Sequence, residues 1–335
     1  MPYPSFDFCV LGNGPLGAAA AAYLAGLGAT VCLVGARPTE RWSGHQDHSR
    51  LYRTLHQDAY WTRLAQANLP LMQALDACTG IHFLRPAPVY YDQSVAGACA
   101  QDHPSASELV ATDPCGAVLD PLGYIAALNQ QAEAWGADLR ADVASIGRWL
   151  DGQHEVDMAA HGTIRCRHLM DFRGFYAMPT PGGATIARTT LLVRHPPQHR
   201  LHGFIRTELD NPDVAEFFAC CELEANDELQ TSKFVIADAR SVLLESTQAL
   251  QDWFTGGFSQ HPQLPWAVEE IRRMGYAIHS LRLAPCAFTR TPSGRPEVRV
   301  SQNHLRFYGC NGSAAKCAQS LARDVIEPYL GTCQP

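Results

Sequence analysis

The residues with the sharpest chemical meaning are Gly12-Asn13-Gly14-Pro15-Leu16-Gly17. Glycines at this spacing cradle a pyrophosphate. Gly12 permits the tight turn, Gly14 lets the main chain approach the phosphates, and Gly17 lets a helix touch the strand before it. A second signal is scarcity: of 26 basic residues only Lys233 and Lys316 are lysines, so each is worth placing. A third is an omission. Val34 is followed by Gly35, Ala36 and Arg37, where a dinucleotide site usually has an acid for the adenosine ribose. Arg37 would suit a 2′-phosphate and Glu40 could swing back to the ribose, so this stretch leaves NAD(P) and FAD both open.

The elements that must position these groups follow from the flanking sequence. Phe8-Cys9-Val10-Leu11 stops at the first glycine, Ala18 to Leu27 has the composition of a helix, and Thr30 to Val34 reads as a strand. That is a β-α-β unit with the glycine pattern at its first bend, the context the motif requires. A polar, aromatic-studded loop from Arg37 to Asp58 comes next, followed by a helix from about Tyr60 to Ala77 with Trp61, Leu64, Leu71 and Leu75 on one face. Gly116 to Pro121 leads into a helix from about Leu122 to Trp135, and strands near Ile146, Val156 and Leu169 continue the first sheet. From Pro179 to about Ala277, β-branched runs and prolines indicate a second, sheet-rich unit with helices near 241–254 and 266–274. His304 to Tyr308, Gly309-Cys310-Asn311-Gly312 and Ser313 to about Tyr329 repeat the order strand, glycine turn, helix, and aim a second helix N-terminus at the same guest.

Composition narrows the class. A chain of 335 residues with 46% hydrophobic content buries a substantial core. A net charge of -7 without a basic block argues against nucleic acid and anionic membrane as partners. Twelve cysteines without a CxxC pair supply neither metal-ligand spacing nor a disulfide framework. With the first strand beginning near Phe6 and no apolar span, the expected location is cytoplasmic.

On these residues the chain resembles the glycine oxidase and sarcosine oxidase branch of the FAD-dependent amine oxidases. Family members open with GxGPxGxxxA, matched by Gly12, Gly14, Pro15, Gly17 and Ala21, and share the Gly-x-x-x-Asp-Pro helix start found at Gly116 to Pro121. The resemblance implies an α/β architecture: a discontinuous Rossmann-type FAD-binding domain (1–80, 115–178 and 284–335) with an inserted, sheet-rich α+β substrate domain (81–114 and 179–283). It implies that Arg50 and Arg53 flank the flavin and that Arg53 grips a substrate carboxylate with Lys316, the last residue of Gly312-Ser313-Ala314-Ala315-Lys316. It implies that Cys286, ahead of Thr291-Pro292, tethers the flavin, and that Lys233 promotes reaction with oxygen, although the family's nearby histidine is missing from Thr231 to Ala237.

The expected flavin contacts are therefore Gly12, Gly14, Pro15, Leu16, Gly17, Ser43, Arg50, Cys286, Gly309, Gly312 and Lys316. Arg50 and Lys233 are the expected catalytic residues, and no metal is called for. Tyr52 and Trp42 are candidate walls of the amine pocket or core residues, and His45 and His48 candidate contacts or exposed loop residues. Leu169-Met170-Asp171-Phe172-Arg173-Gly174 departs from the family's apolar strand end, which points to altered FAD contacts.

Read as chemistry alone, two arginines and a lysine around a neutral apolar ring bind a carboxylate. The expected reaction is oxidation of a carboxylate-bearing secondary or cyclic amine to an imine, with O2 reduced to H2O2. Two alternatives are an NAD(P)-dependent dehydrogenase, favoured by Gly35 and Arg37, and a flavoprotein without turnover serving as a maturation factor or binding partner.

Overall fold

The computed structural model describes residues 3–36, 44–45, 49–100, 109–177, 183–197, 203–221 and 228–332. Its elements begin with β1 (Ser5–Leu11), α1 (Pro15–Gly26), β2 (Val31–Val34), β3 (Arg50–Tyr52) and α2 (Ala59–Thr79). Next come β4 (Leu84–Pro86), β5 (Val89–Tyr91), β6 (Cys99–Ala100), β7 (Ala111–Asp113), β8 (Ala117–Leu119), α3 (Pro121–Ala134) and β9 (Asp138–Arg140). A meander of β10 (Ala144–Leu150), β11 (Gln153–Met158) and β12 (Gly162–Asp171) follows. The second unit holds β13 (Ala184–His195), β14 (Gly203–Arg206), β15 (Val214–Cys221), β16 (Gln230–Asp238), β17 (Val242–Leu243), α4 (Thr247–Thr255) and α5 (Leu264–Arg273). The chain closes with β18 (Ser280–Arg290), β19 (Glu297–Ser301), β20 (His304–Tyr308) and α6 (Ala314–Thr332).

Two large sheets result. In the first, β12, β1, β2 and β9 run parallel, with β20 parallel to β12 on one side and the antiparallel β10-β11 hairpin extending it. Helices α1, α2, α3 and α6 pack together against one face of it. Alanine builds α1: Ala18 to Ala22 and Ala25 are all buried, and their small side chains let α1 lie between α3 and α6. Opposite faces of β1 therefore serve two cores. Phe8 and Val10 point toward the helices, and Cys9 and Leu11 toward the β10-β11-β12 side.

The second sheet has the order β17-β13-β16-β15-β14-β5-β7-β6, with β18 pairing β13. Its pairing with β13 runs from Ser280 to Arg290, so the expected return to the first domain at 284 falls inside a strand of the second sheet. The ladder continues past Pro285 because β18 pairs only β13 and is an edge strand, the position in a sheet that admits proline. The stretch 81–114 also divides. Val89–Tyr91 and Ala111–Asp113 join the second sheet, whereas Leu84–Pro86 pairs β8 in a small sheet with β3. Among the described residues no helix is long and apolar enough to cross a membrane, no three metal-ligating side chains cluster, and all eleven described cysteines are free thiols.

Candidate functional site

A cavity of about 440 Å³ opens between the two sheets, within the ordinary range for small-molecule sites. Its first wall is main chain. Gly12, at φ +104°, turns the chain out of β1, and a Cβ there would stand 2.7 Å from the Phe172 carbonyl oxygen. A Cβ on Gly17 would lie 1.8 Å from the Gly12 carbonyl oxygen, so the helix can approach the turn only with glycine at this place. Gly14 caps α1 without a side-chain acceptor and Pro15 occupies the first turn, which leaves first-turn N–H groups directed to the cavity.

The missing ribose acid has a steric reason. Gly35 lies against the cradle, and a Cβ on it would stand 2.3 Å from the Asn13 backbone nitrogen. Nearby Asp142 lines the cavity but is already engaged. Its carboxylate accepts from the backbone N–H groups of Val143, Ala160 and His161 and contacts the His161 ring at 2.8 Å. The side-chain oxygens of Asn13 and Asn311, both on residues lining the cavity, are buried without a hydrogen-bond partner among the described residues. An orphaned acceptor is costly unless a guest satisfies it, so the cradle fits a polar, phosphate-bearing dinucleotide.

The departure at Asp171 to Gly174 also lies on this wall. Asp171 ends β12 beside Leu11, and Arg173 holds it through Nε at 2.9 Å and Nη2 at 2.8 Å. This hydrogen-bonded partner raises the Arg173 pKa, and Arg173, Phe172 and Gly174 all line the cavity. The charges are thus neutralised locally.

The second wall is a comb of side chains set by the period of two in strands. Arg188 and Thr190 of β13, Glu216, Phe218 and Cys220 of β15, Lys233 and Val235 of β16, and Cys286 and Phe288 of β18 all line the cavity. Register explains the set. Arg188 is opposite Cys286, Thr190 opposite Val235, Val235 opposite Phe218, and Lys233 opposite Cys220, so all project from one face. Arg188 also lies 4.7 Å from the Phe288 ring centroid. Burial lowers its pKa first, and Glu216 partly restores it.

The third contribution comes from the two chain ends. Arg53 leaves β3 and enters a segment pinned by buried Asp113, which accepts from the backbone N–H groups of Thr54 and Leu55 at 2.6 and 3.2 Å. Arg50 donates to the carbonyl oxygens of Ser49 and Gly44. Lys316 sits in the first turn of α6 just before a kink at Cys317 (φ −126°, ψ 15°). Buried Asn68 of α2 holds that turn, donating to the Lys316 carbonyl at 3.0 Å and accepting from the Ser320 N–H at 2.9 Å. Facing a cavity yet deep in the protein, the Lys316 ammonium has its pKa pulled down to about 8 by desolvation first and by the Arg53 guanidinium second. Burial, then the same two cations, push His56 down to about 2, so its imidazole is neutral.

Of the residues expected from the sequence, Gly12, Gly14, Pro15, Leu16, Arg50, Arg53, Lys233, Cys286, Gly312 and Lys316 line this one cavity, as does His45. Gly17 stands behind the lining and supplies the close contact just described. Tyr52 corrects its expected role as a substrate contact. Leu51 faces the cavity, so alternation turns Tyr52 into the core, where it is fully buried and donates to the Ala65 carbonyl at 2.6 Å. Gly309 is also behind the lining: its N–H donates to Thr289 Oγ1 at 3.2 Å, and at φ +78° it abuts Thr291. Ser43, with Arg37, Glu40, Trp42 and His48, lies outside the described residues. Sequence reasoning missed Arg188 and Glu216, whereas Arg173 lies in the 169–174 segment it singled out. The period-two alternation around Thr189 to Val193 carried the signal for Arg188, whereas nothing local marked Glu216.

The chain matches no family model and no curated protein sequence. Solved structures do share its fold. NikD, described as an unusual amino acid oxidase essential for nikkomycin biosynthesis, superposes with TM-score 0.65 at 15% identity over 95% of this chain and 94% of NikD. An L-proline dehydrogenase from P. horikoshii gives 0.69 at 13% identity over 99% and 95% of the two chains. A glycine oxidase from Geobacillus kaustophilus gives 0.69 at 14% identity over 99% and 96%. The chain therefore has the Rossmann-type α/β fold of these amino acid oxidases and dehydrogenases along nearly its whole length.

Proposed function

We propose that this protein is an FAD-dependent oxidase that converts the C–N bond of a carboxylate-bearing secondary or cyclic amine to an imine, passing the electrons to O2 with formation of H2O2. The observation that carries the reading is the convergence of Arg53 and Lys316, from opposite ends of the chain, on the cavity that begins at the glycine cradle. A cavity reaching from that cradle across to a cationic end suits a long dinucleotide with a small anionic guest beyond it. It also gives Lys316 and its turn a task that the NAD(P) alternative leaves without one.

In this reading the cradle at Gly12 to Leu16 receives the pyrophosphate, assisted by the N-terminus of α1. Bound FAD supplies hydride acceptance and the subsequent reduction of O2. The protein's part is position and charge. Arg53 offers a bidentate fork to the substrate carboxylate, and Lys316 adds a point charge beside it. Phe218, Ile205 and Val235 give the guest's carbon skeleton an apolar bed and exclude water. Buried Lys233, 3% exposed in the middle of β16, is the candidate stabiliser of charge developing on oxygen. Cys286 is the candidate tether: it lines the cavity, opposite Arg188 on the neighbouring strand.

Acid precipitation of the purified protein tests the cofactor and the tether together. Yellow colour staying with the polypeptide supports a covalent flavin, and its release by Cys286→Ala supports that cysteine. Colourless protein that binds NADPH would instead support the dehydrogenase. Anaerobic titration with secondary and cyclic amino acids should bleach the flavin, and yellow protein that no amino acid bleaches would favour the partner without turnover. Lys233→Met should slow reoxidation by O2 far more than anaerobic reduction, and equal slowing would remove Lys233 from the oxygen site.

A further inference from the structure

The cationic end of the cavity contains one acid that the proposed reaction has not used. Two carboxylates line the cavity among the described residues, Asp142 and Glu216. Asp142 lies beside Gly35 at the nucleotide end, with its N–H donating to the Gly35 carbonyl and its oxygens occupied by the 160–161 turn and Val143. Glu216 differs in every respect. It stands on β15 where the pairing with β16 shifts register between Val214 and Glu216, an irregularity of the kind that re-aims a side chain. No described residue donates a hydrogen bond to its carboxylate, although Arg188 and Lys316 feel its charge.

The row it occupies is informative. Glu216 is opposite Ala237, two residues beyond the Val235 that faces Thr190, while Arg188 is two residues before Thr190. Arg188 and Glu216 both line the cavity, and the Glu216 charge acts on the Arg188 guanidinium. A carboxylate ligand without an ammonium group would gain nothing from Glu216, because a carboxylate near Arg53 and Lys316 weakens their attraction for a second one. An amino acid arrives as a zwitterion, and the same acid is then complementary to its ammonium.

Building on the oxidase reading above, we infer that Glu216 is the amine-recognition residue of the site, receiving the N–H groups of a protonated secondary amine whose carboxylate is held by Arg53 and Lys316. The substrate class narrows accordingly, to amino acids with a basic secondary nitrogen, of the proline or N-alkylglycine type, in preference to acids whose nitrogen is an amide, an enamine or absent.

The test uses flavin-loaded protein and two ligands with no hydrogen on either ring carbon next to the heteroatom, which cannot be oxidised to an imine: 2,5,5-trimethylpyrrolidine-2-carboxylate and its ether analogue 2,5,5-trimethyltetrahydrofuran-2-carboxylate. They differ only in NH2+ against O. Dissociation constants come from the perturbation of the flavin absorption spectrum. Wild type should prefer the amine by about tenfold or more, the value of a hydrogen bond to a charged group. Glu216→Gln should bring that ratio close to one while the ether analogue binds as well as before or more tightly, which also shows an intact site. A ratio unchanged in Glu216→Gln overturns the inference, and so does equal loss of both ligands, which would make the acid a structural support. The carboxylate grip is judged separately: Arg53→Ala should lose both ligands. If Arg53→Ala binds both as wild type does, or if wild type binds neither, the oxidase reading falls and the inference with it.

Discussion

The two walls of the cavity are made of different material. The wall from the first sheet is backbone: Gly12, Gly14 and Gly35 stand where a Cβ would meet a neighbour at 2.7, 3.3 and 2.3 Å. The wall from the second sheet is side chains on a regular antiparallel ladder, where each residue can change without moving the next. Their tolerances follow. A nucleotide read by main-chain N–H groups requires one backbone path, so the first wall has almost no freedom. A substrate read by projecting side chains can be exchanged for another by substitution on strands that keep their register, so specificity belongs to the second.

The largest expected effect breaks the first wall. Gly17→Ala puts a methyl group 1.8 Å from the Gly12 carbonyl oxygen, so α1 must move off the turn. Purified variant should lack the flavin absorption of the wild type altogether. Retention of stoichiometric flavin would show that the cradle is not set by this contact.

Next comes Arg53→Ala in the cationic group. It leaves the Asp113 anchor of Thr54 and Leu55 in place, so the segment keeps its path. Affinity for a carboxylate ligand should fall on the order of a hundredfold, as when one partner of a buried charge pair is truncated. Flavin content should not change, and a fall in flavin content instead would make Arg53 a cofactor residue.

A smaller effect is expected from pH. Lys316 titrates at about 8 in the folded protein against an ordinary value of 10.5. Binding of the non-basic ether carboxylate should be strongest below pH 8 and weaken by at most about tenfold per unit above it, and Lys316→Met should flatten that dependence. Stability has the opposite sign. Below pH 8 the folded state bears the cost of a buried ammonium. Between 8 and 10.5 the unfolded chain holds the extra proton, so stability rises with pH in that window. Equilibrium unfolding of wild type against Lys316→Met at pH 7 and 10 measures it, and a pH-independent difference would remove Lys316 as its source.

The smallest expected effect is in Asn68, which touches neither wall but fixes the turn that carries Lys316. Asn68→Ala removes its bonds to the Lys316 carbonyl and the Ser320 N–H. It should cost about 1–3 kcal/mol in denaturant unfolding, with only a few-fold loss of carboxylate affinity. Unchanged stability with a large loss of affinity would place Asn68 in the ligand's reach instead.

What could be read from the linear chain was what local physics encodes. The turn at Gly12 to Gly17, the alanine helix after it and the β-branched strands between 184 and 238 are set by steric permission and short-range periodicity, and the observed elements agree with them within a few residues. Tyr52 and Gly309 show where this stopped. Each is one or two residues from a group that lines the cavity, and the sequence does not reveal which side of a three-residue strand or a glycine turn faces inward. The expected boundary at 284 failed for a related reason, since membership of a sheet is decided by the partner strand, and β13 is nearly a hundred residues away from β18.

The sequence by itself determined the glycine-built bend between strand and helix at Gly12 to Gly17 and set the two lysines far apart at 233 and 316. Only the tertiary structure decided that these lysines meet Arg53 around one cavity, that Gly35 is excluded from acid by the crowding of Asn13, and that Glu216 joins the cationic end. The physical reason is that cross-strand register and helix packing relate residues by distance in space. Charge becomes chemistry only when such contacts remove water from around it.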